Sequence, residues 1–145
     1  MPRKPDEIAW DEAILADFHE HAGQITRGRL AGANLLLMTS IGAKSGEPRL
    51  SPLGYTRDGD RYVVVGSNSG LPRQPAWLAN IRANPIVSVE VGIDTFKARA
   101  TITAGAERAR LWAAHVAEIP HFATYERMVD RELPVVALER LAEDA

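Results

Sequence analysis

The feature that most constrains this chain is that its short apolar runs come in pairs joined by tight-turn signals. Leu50–Thr56 and Arg61–Gly66 flank Arg57-Asp58-Gly59-Asp60, and Asp-Gly between two apolar runs is a strong hairpin signal. Ile86–Val91 alternates Ile, Ser and Glu with Val, and Thr95–Thr103 continues after the turn Gly92–Asp94, which makes a second antiparallel pair. Leu35–Ile41 (LLLMTSI) is a continuous apolar run bounded by Asn34 and Gly42 and reads as a buried strand. Val135–Leu138 reads as a last short strand. Pro52 removes a ladder hydrogen bond, so its strand should lie at an edge or carry a bulge.

Helical patterning is confined to fewer segments. Trp10, Ile14, Leu15, Phe18, Ala22 and Ile25 recur at helical spacing and predict a helix over Asp11–Arg29. Acidic residues at its start and Arg27 and Arg29 at its end suit the helix dipole. Gln74–Ala83 predicts a brief helix, opened by Pro75 and stopped by Asn84-Pro85. Late helices are expected over about 106–131, as Ala106–Ala117 and Phe122–Arg131. Strands that arrive as hairpins, with few helices to cover them, give an antiparallel sheet in a mainly β, α+β chain. Curling into a small barrel buries one face and removes edges.

The 145 residues suit one domain, 1–145, with 46% hydrophobic and 25% charged residues and no linker or internal repeat. A net charge of −2 offers no basic face for nucleic acid. Without cysteine there is no disulfide, thiolate metal site or cysteine nucleophile. No apolar run approaches the roughly 20 residues that span a bilayer, and MPRKPDEIAWDEA lacks an apolar signal core. A soluble cytoplasmic protein is the expectation. The four histidines show no metal-ligand spacing: His19 and His21 point to different helix faces, and His115 and His121 have no carboxylate at a recognisable offset. The carboxylates read as ordinary surface charges.

Two loops carry the chemistry. Gly42-Ala43-Lys44-Ser45-Gly46-Glu47-Pro48-Arg49 is a glycine-punctuated turn with two cations and a hydroxyl. Its glycines permit converging N–H groups that suit phosphate or carboxylate. It is not a Walker loop, because Ala43 separates Gly42 from Lys44. An exposed turn with solvated cations would have the same composition, so this loop alone leaves both readings open. Gly66-Ser67-Asn68-Ser69-Gly70-Leu71-Pro72-Arg73 runs into the start of the brief helix, where free N–H groups and the dipole attract anions. Its register is not Gly-x-Ser-x-Gly, which argues against a serine hydrolase. Trp77 in the following turn is a packing residue or a wall for a planar ring.

Taken together, IGAKSGEPRLSPL, RDGDRYVVVGSNSG, PAWLANIRANP, ERARLW and DRELPVV resemble the deazaflavin (coenzyme F420)-dependent nitroreductase family, from about Leu35 to Val136. The resemblance implies an antiparallel split β-barrel, related to the FMN-binding split barrels, in which both loops hold the phosphate and polyglutamate tail of the cofactor. By position, Lys44, Ser45 and Arg49 would line the tail-binding turn, with Arg73 restoring charge nearby. Pro52, Leu53 and Gly54 would run beneath the deazaflavin. Gly66, Ser67 and Asn68 would touch the ring or its linker. Ala76, Trp77, Leu78, Ala79 and Asn80 would close the helix side. Phe122 and Tyr125 would face the substrate, and Tyr125 and Ser67 are the candidates to polarise or protonate a developing oxyanion. Ala43 stands where the family commonly has arginine, Asn68 where it has lysine, and Ile119 and Phe122 where tyrosines occur.

The implied activity is hydride transfer from reduced deazaflavin to a flat electrophile such as a quinone, enone or nitroaromatic. The alternatives on the same barrel are a non-catalytic binder of deazaflavin, flavin or haem, and a relative that uses FMN. Peripheral membrane attachment is known in the family. Here the acidic polar face of the first helix disfavours it, since interfacial helices carry Lys and Arg. Split barrels often dimerise to complete their sites, so a homodimer is an expectation as well.

Overall fold

The computed structural model describes residues 15–24, 34–67 and 72–142. Its core is one seven-stranded sheet in which every pairing is antiparallel, as the hairpin pattern requires. The strands are β1 (Leu35–Ile41), β2 (Pro48–Gly54), β3 (Thr56–Asp58), β4 (Arg61–Val65), β5 (Ile86–Val91), β6 (Asp94–Ile102) and β7 (Val135–Arg140). They lie in the order β2-β1-β5-β6-β7-β4-β3. The two outermost strands, β2 and β3, are separated in the chain by Tyr55 alone. A flat sheet of this width would hold them roughly 30 Å apart, at about 4.8 Å per strand, while one residue spans only about 3.5 Å. The sheet therefore curls until its edges meet, giving the half-barrel.

Alternation along the strands sorts side chains into an inside and an outside. Leu36 and Met38 of β1, Tyr62 and Val64 of β4, Val87 and Val89 of β5, and Val136 and Leu138 of β7 fill the lumen. Val63, Val65 and Val135 point outward and are covered by two late helices. Leu35 and Leu37 point outward on the other side and pack against Phe18. Pro52 lies on edge strand β2, opposite Leu37, where its missing N–H interrupts no second ladder.

Four helices flank the sheet: α1 (described over residues 15–20), α2 (Ala76–Ala83), α3 (Gly105–Glu118) and α4 (His121–Met128). The first helix corrects the expectation that it runs to Arg29. It stops before Ala22 and Gly23, which both adopt positive φ (55° and 89°). The Gly23 N–H reaches back to the Phe18 carbonyl at 2.7 Å, a Schellman-type end. Gly23 also lies so close to Gly92 that an added Cβ would meet its Cα at 2.4 Å, so glycine is required there. The remaining ends of the expected helix, 11–14 and 25–29, lie outside the described residues. The first predicted hairpin strand, Leu50–Thr56, is likewise divided: it breaks at Tyr55, and the hairpin itself is β3–β4 around Gly59-Asp60, with Gly59 at φ 60°.

Helix α2 begins one residue after Pro75, which stays extended at ψ 146° as its N-cap. Trp77, Leu78 and Ile81 project into the lumen cluster, so α2 stoppers the barrel end where β1 and β4 finish. No helix among the described residues is long and apolar enough to cross a membrane.

Candidate functional site

Both cation-bearing loops leave the barrel at the end closed by α2. The first follows β1. Its backbone closes on itself, with Gly42 N–H donating to the Glu47 carbonyl at 2.8 Å and Gly46 N–H to the Gly42 carbonyl at 2.9 Å. Ser45 Oγ accepts the Glu47 N–H at 3.2 Å and sits where a Cβ on Gly42 would come within 2.5 Å of it. Gly46 has φ 71° and open space around it. Lys44 and Arg49 are exposed. Among the described residues Arg49 makes only long contacts, 3.5 Å to Ser45 Oγ and 3.9 Å to Glu47. Exposed pairs of that length are worth at most about 1 kcal/mol, so the cations remain available to an external anion.

Asn80 of α2 fixes this loop to the helix. Its buried side-chain amide accepts the Ala43 N–H at 2.9 Å and donates to Ser40 Oγ at 3.1 Å. Asn80 thus holds the first loop in place, a contact that the sequence pattern did not reveal.

The second loop follows β4. Gly66 donates its N–H to the Pro134 carbonyl at 2.9 Å and packs so closely that an added Cβ would lie 2.8 Å from Pro134 Cγ. Ser67 is buried, at 7% exposure. Asn68 lies outside the described residues. The loop's organising residue is Arg131, which sequence reasoning left as the end of a late helix. α4 ends at Met128 instead, and Arg131 turns back. It donates to the carbonyls of Gly66 (3.0 Å), Ser67 (3.0 Å), Pro72 (3.1 Å) and Arg73 (3.3 Å), and to Gln74 Oε1 (2.8 Å). Only its place in the closing motif DRELPVV singled it out. Burial pulls its guanidinium somewhat below the usual arginine range, and it stays charged.

One helix joins the two loops. Pro75 packs near Gly66 at its start and Asn80 holds Ala43 one turn later, about 6 Å along the axis. The α2 N-terminus has no side-chain cap and no acidic residue in its first turn. Exposed Arg73 stands beside it. Uncapped N–H groups, the positive dipole end and the neighbouring cations are the donor set that a phosphate and carboxylate tail requires. Ala76 and Ala79 lie on the exposed face of α2 with Arg82 and Ala83, while Trp77 and Leu78 are buried in the barrel. Pro52, Leu53 and Gly54 are half-buried on β2, with Leu53 against the lumen cluster.

The late helices approach the second loop from outside. Tyr125 packs on the cluster that contains Val65, two residues before Ser67. It is half-buried, 5.4 Å from the Phe122 ring and 5.3 Å from that of His121. Phe122 is buried in this cluster, edge-on to His115 at 4.5 Å, and has little surface left in this arrangement. His115 is fully buried and shares a 2.9 Å hydrogen bond with Thr56 Oγ1, while its Nε2 has no partner among the described residues. Burial, with a smaller push from His121, brings its pKa down to about 4, so the ring is neutral. Asp58 departs from the ordinary surface charge expected. Arg110 and Arg61 both hydrogen-bond it and hold its carboxyl well below the usual carboxylate range, tying the β3–β4 turn to α3. A depression of about 390 Å³ lined by Arg57, Asp60, Arg61, Tyr62, Glu139 and Arg140 lies at the opposite end of β4 from Gly66, away from both loops.

A curled antiparallel sheet with two cationic loops bracketed at one closed end defines a cofactor-binding split barrel. The chain belongs to the F420H(2)-dependent quinone reductase family, whose model matches residues 14–140. It is an oxidoreductase, and coenzyme F420 is its cofactor. An F420H(2)-dependent quinone reductase of Mycobacterium tuberculosis is 36% identical over 135 residues, covering 87% of this chain and 90% of that protein. The solved structure of an F420-H2 dependent reductase is 36% identical with a TM-score of 0.68, covering 73% of this chain and 94% of that one. Another, described as a domain-swapped dimer, is 31% identical with a TM-score of 0.70, covering 92% and 98%. The resemblance in the sequence therefore led to the right deazaflavin-dependent group, and of the acceptors it implied (quinone, enone or nitroaromatic) the family's name carries the first.

Proposed function

We propose that this chain reduces quinones with F420H2, binding the cofactor's acidic tail between the two loops and its ring along β2 and the exposed face of α2. The single observation that carries this is the bracket at the barrel end: Asn80 holds one cationic loop against the helix whose uncapped start receives the other. Reduced deazaflavin supplies the hydride, and the protein's part is binding, orientation and exclusion of water. Lys44, Ser45 and Arg49 would bind the tail, with Arg73 and the α2 N-terminus. Pro52, Leu53 and Gly54 would underlie the ring, with Gly66, Ser67 and Asn68 at its linker and Ala76 and Ala79 along the helix, backed by the buried Trp77, Leu78 and Asn80. Ser67 and Tyr125 would stabilise or protonate the oxygen that gains charge as the acceptor is reduced. A flat acceptor of this kind extends to enones and nitroaromatics as further substrates.

The relative described as a domain-swapped dimer supports a homodimer for this chain too. The test is a fluorescence titration with F420, followed by oxidation of F420H2 with menadione as acceptor. Saturable binding and turnover are expected. Binding without turnover across quinones and nitroaromatics would select a non-catalytic binder, and preference for FMN over F420 would select a flavin enzyme.

A further inference from the structure

We infer that Arg131 is a positioning residue for the cofactor phosphate, acting through the loop that it holds and not by touching the anion. This rests on the proposed reading that the second loop faces the F420 tail. A guanidinium has five N–H donors in a fixed plane, and five contacts to the described residues of the 66–74 segment are seen: Nε to Pro72, Nη1 to Gly66 and Gln74, Nη2 to Ser67 and Arg73. Four of the acceptors are backbone carbonyls.

A peptide plane carries its C=O and the next residue's N–H on opposite sides when trans, and no described peptide is cis. Drawing in the carbonyls of Gly66, Pro72 and Arg73 therefore turns the N–H groups of Ser67, Arg73 and Gln74 away from the guanidinium. Positive charge draws the loop's negative poles to one side and leaves its positive poles on the other. That is the polarity an anion nest needs. Arg131 comes from beyond α4, 57 to 65 residues away in sequence from its acceptors, so the second loop is shaped by a distant residue. Lysine at this position would bring three rotatable donors without the fork and could not hold four carbonyls in one plane.

The test compares two ligands on three proteins: F420, and the deazaflavin riboside that lacks phosphate and glutamates, each titrated into the parent chain, Arg131→Lys and Gln74→Ala. Thermal melts verify that the variants are folded at the titration temperature. Arg131→Lys is expected to weaken F420 binding at least ~10-fold while leaving the tail-less riboside within about twofold, since one charge-assisted contact is worth that factor. Gln74→Ala, which removes a side-chain acceptor and no carbonyl, should leave both affinities near the parent's. Equal loss for both ligands, or no loss for either, would overturn the role of Arg131. A parent chain that binds neither ligand would instead overturn the cofactor reading, and this inference with it.

Discussion

The two loops at the closed end of the barrel reach similar chemistry by opposite means. The first is closed by its own backbone, with Gly42, Ser45, Gly46 and Glu47 bonding to one another and Asn80 as its anchor to α2. Its cations point outward. The second, over its described residues, is gathered by Arg131. Arg131 turns its charge inward on carbonyls, so that in the proposed reading N–H groups and a helix end face the ligand. A locally closed loop can present side chains, whereas a loop held from its carbonyl side presents backbone.

The largest expected effect comes from His115, which is bonded to Thr56 of β3 and to neither loop, and it separates stability from binding. His115 is buried beneath α4 with its pKa lowered from 6.5 to about 4. As pH falls from 6.5 towards 4, the unfolded chain takes up a proton that the folded chain refuses. Stability should decline through that window, by about 3 kcal/mol in all, and level off below it. Thermal melts against pH should show this slope, and His115→Gln should flatten it. If F420 affinity tracked the same slope while the chain stayed folded, His115 would be coupled to cofactor binding as well as to stability.

Next in size is Arg131→Leu, which leaves its carbonyls without a donor. Two of those contacts are sheltered, so a loss of about 2–3 kcal/mol is expected by chemical denaturation. Asn80→Ala removes a buried amide bonded to Ser40 and Ala43 and should cost about 2 kcal/mol. The two variants sharpen the contrast if hydrogen exchange rises in residues 72–74 for the first and in 42–47 for the second. Exchange rising in both segments for either variant would show that the loops are one unit.

The smallest stability effects distinguish the glycines. Gly46 needs its positive φ and has space around it, so Gly46→Ala should cost about 1 kcal/mol and Gly46→Asn less. Gly66 needs room instead, because Pro134 fills the place of a side chain. There Asn should be no better than Ala, with both costing about 1–3 kcal/mol as overpacking. Equal ranking of Ala and Asn at the two positions, measured by melts, would erase the distinction.

What was legible in the sequence follows the range of the forces involved. The β3–β4 turn at Gly59-Asp60, the β5–β6 pair and the edge position of Pro52 depend on neighbours a few residues apart, and their patterns could be read directly. The apolar stripe of the first helix continues to Ile25, so it hid the stop at Ala22-Gly23, which close contact with Gly92 imposes. The break at Tyr55 was hidden as well, because only closure of the barrel requires it. Lys44, Arg49 and the glycines made an anion loop one of the two readings that composition left open. Asn80 and Arg131 did not, since the polar groups they hold lie 37 to 65 residues away and no local spacing encodes them.

The central claim, that the loops form one site for an acidic cofactor tail, is tested most directly by titrating F420 into the parent chain and into Lys44→Ala, Arg49→Ala. Both side chains are exposed, so stability should stay within about 0.5 kcal/mol of the parent. Affinity should fall at least ~10-fold and become less sensitive to salt. A double variant that binds F420 as tightly as the parent, at every salt concentration, would show that the first loop is only a turn.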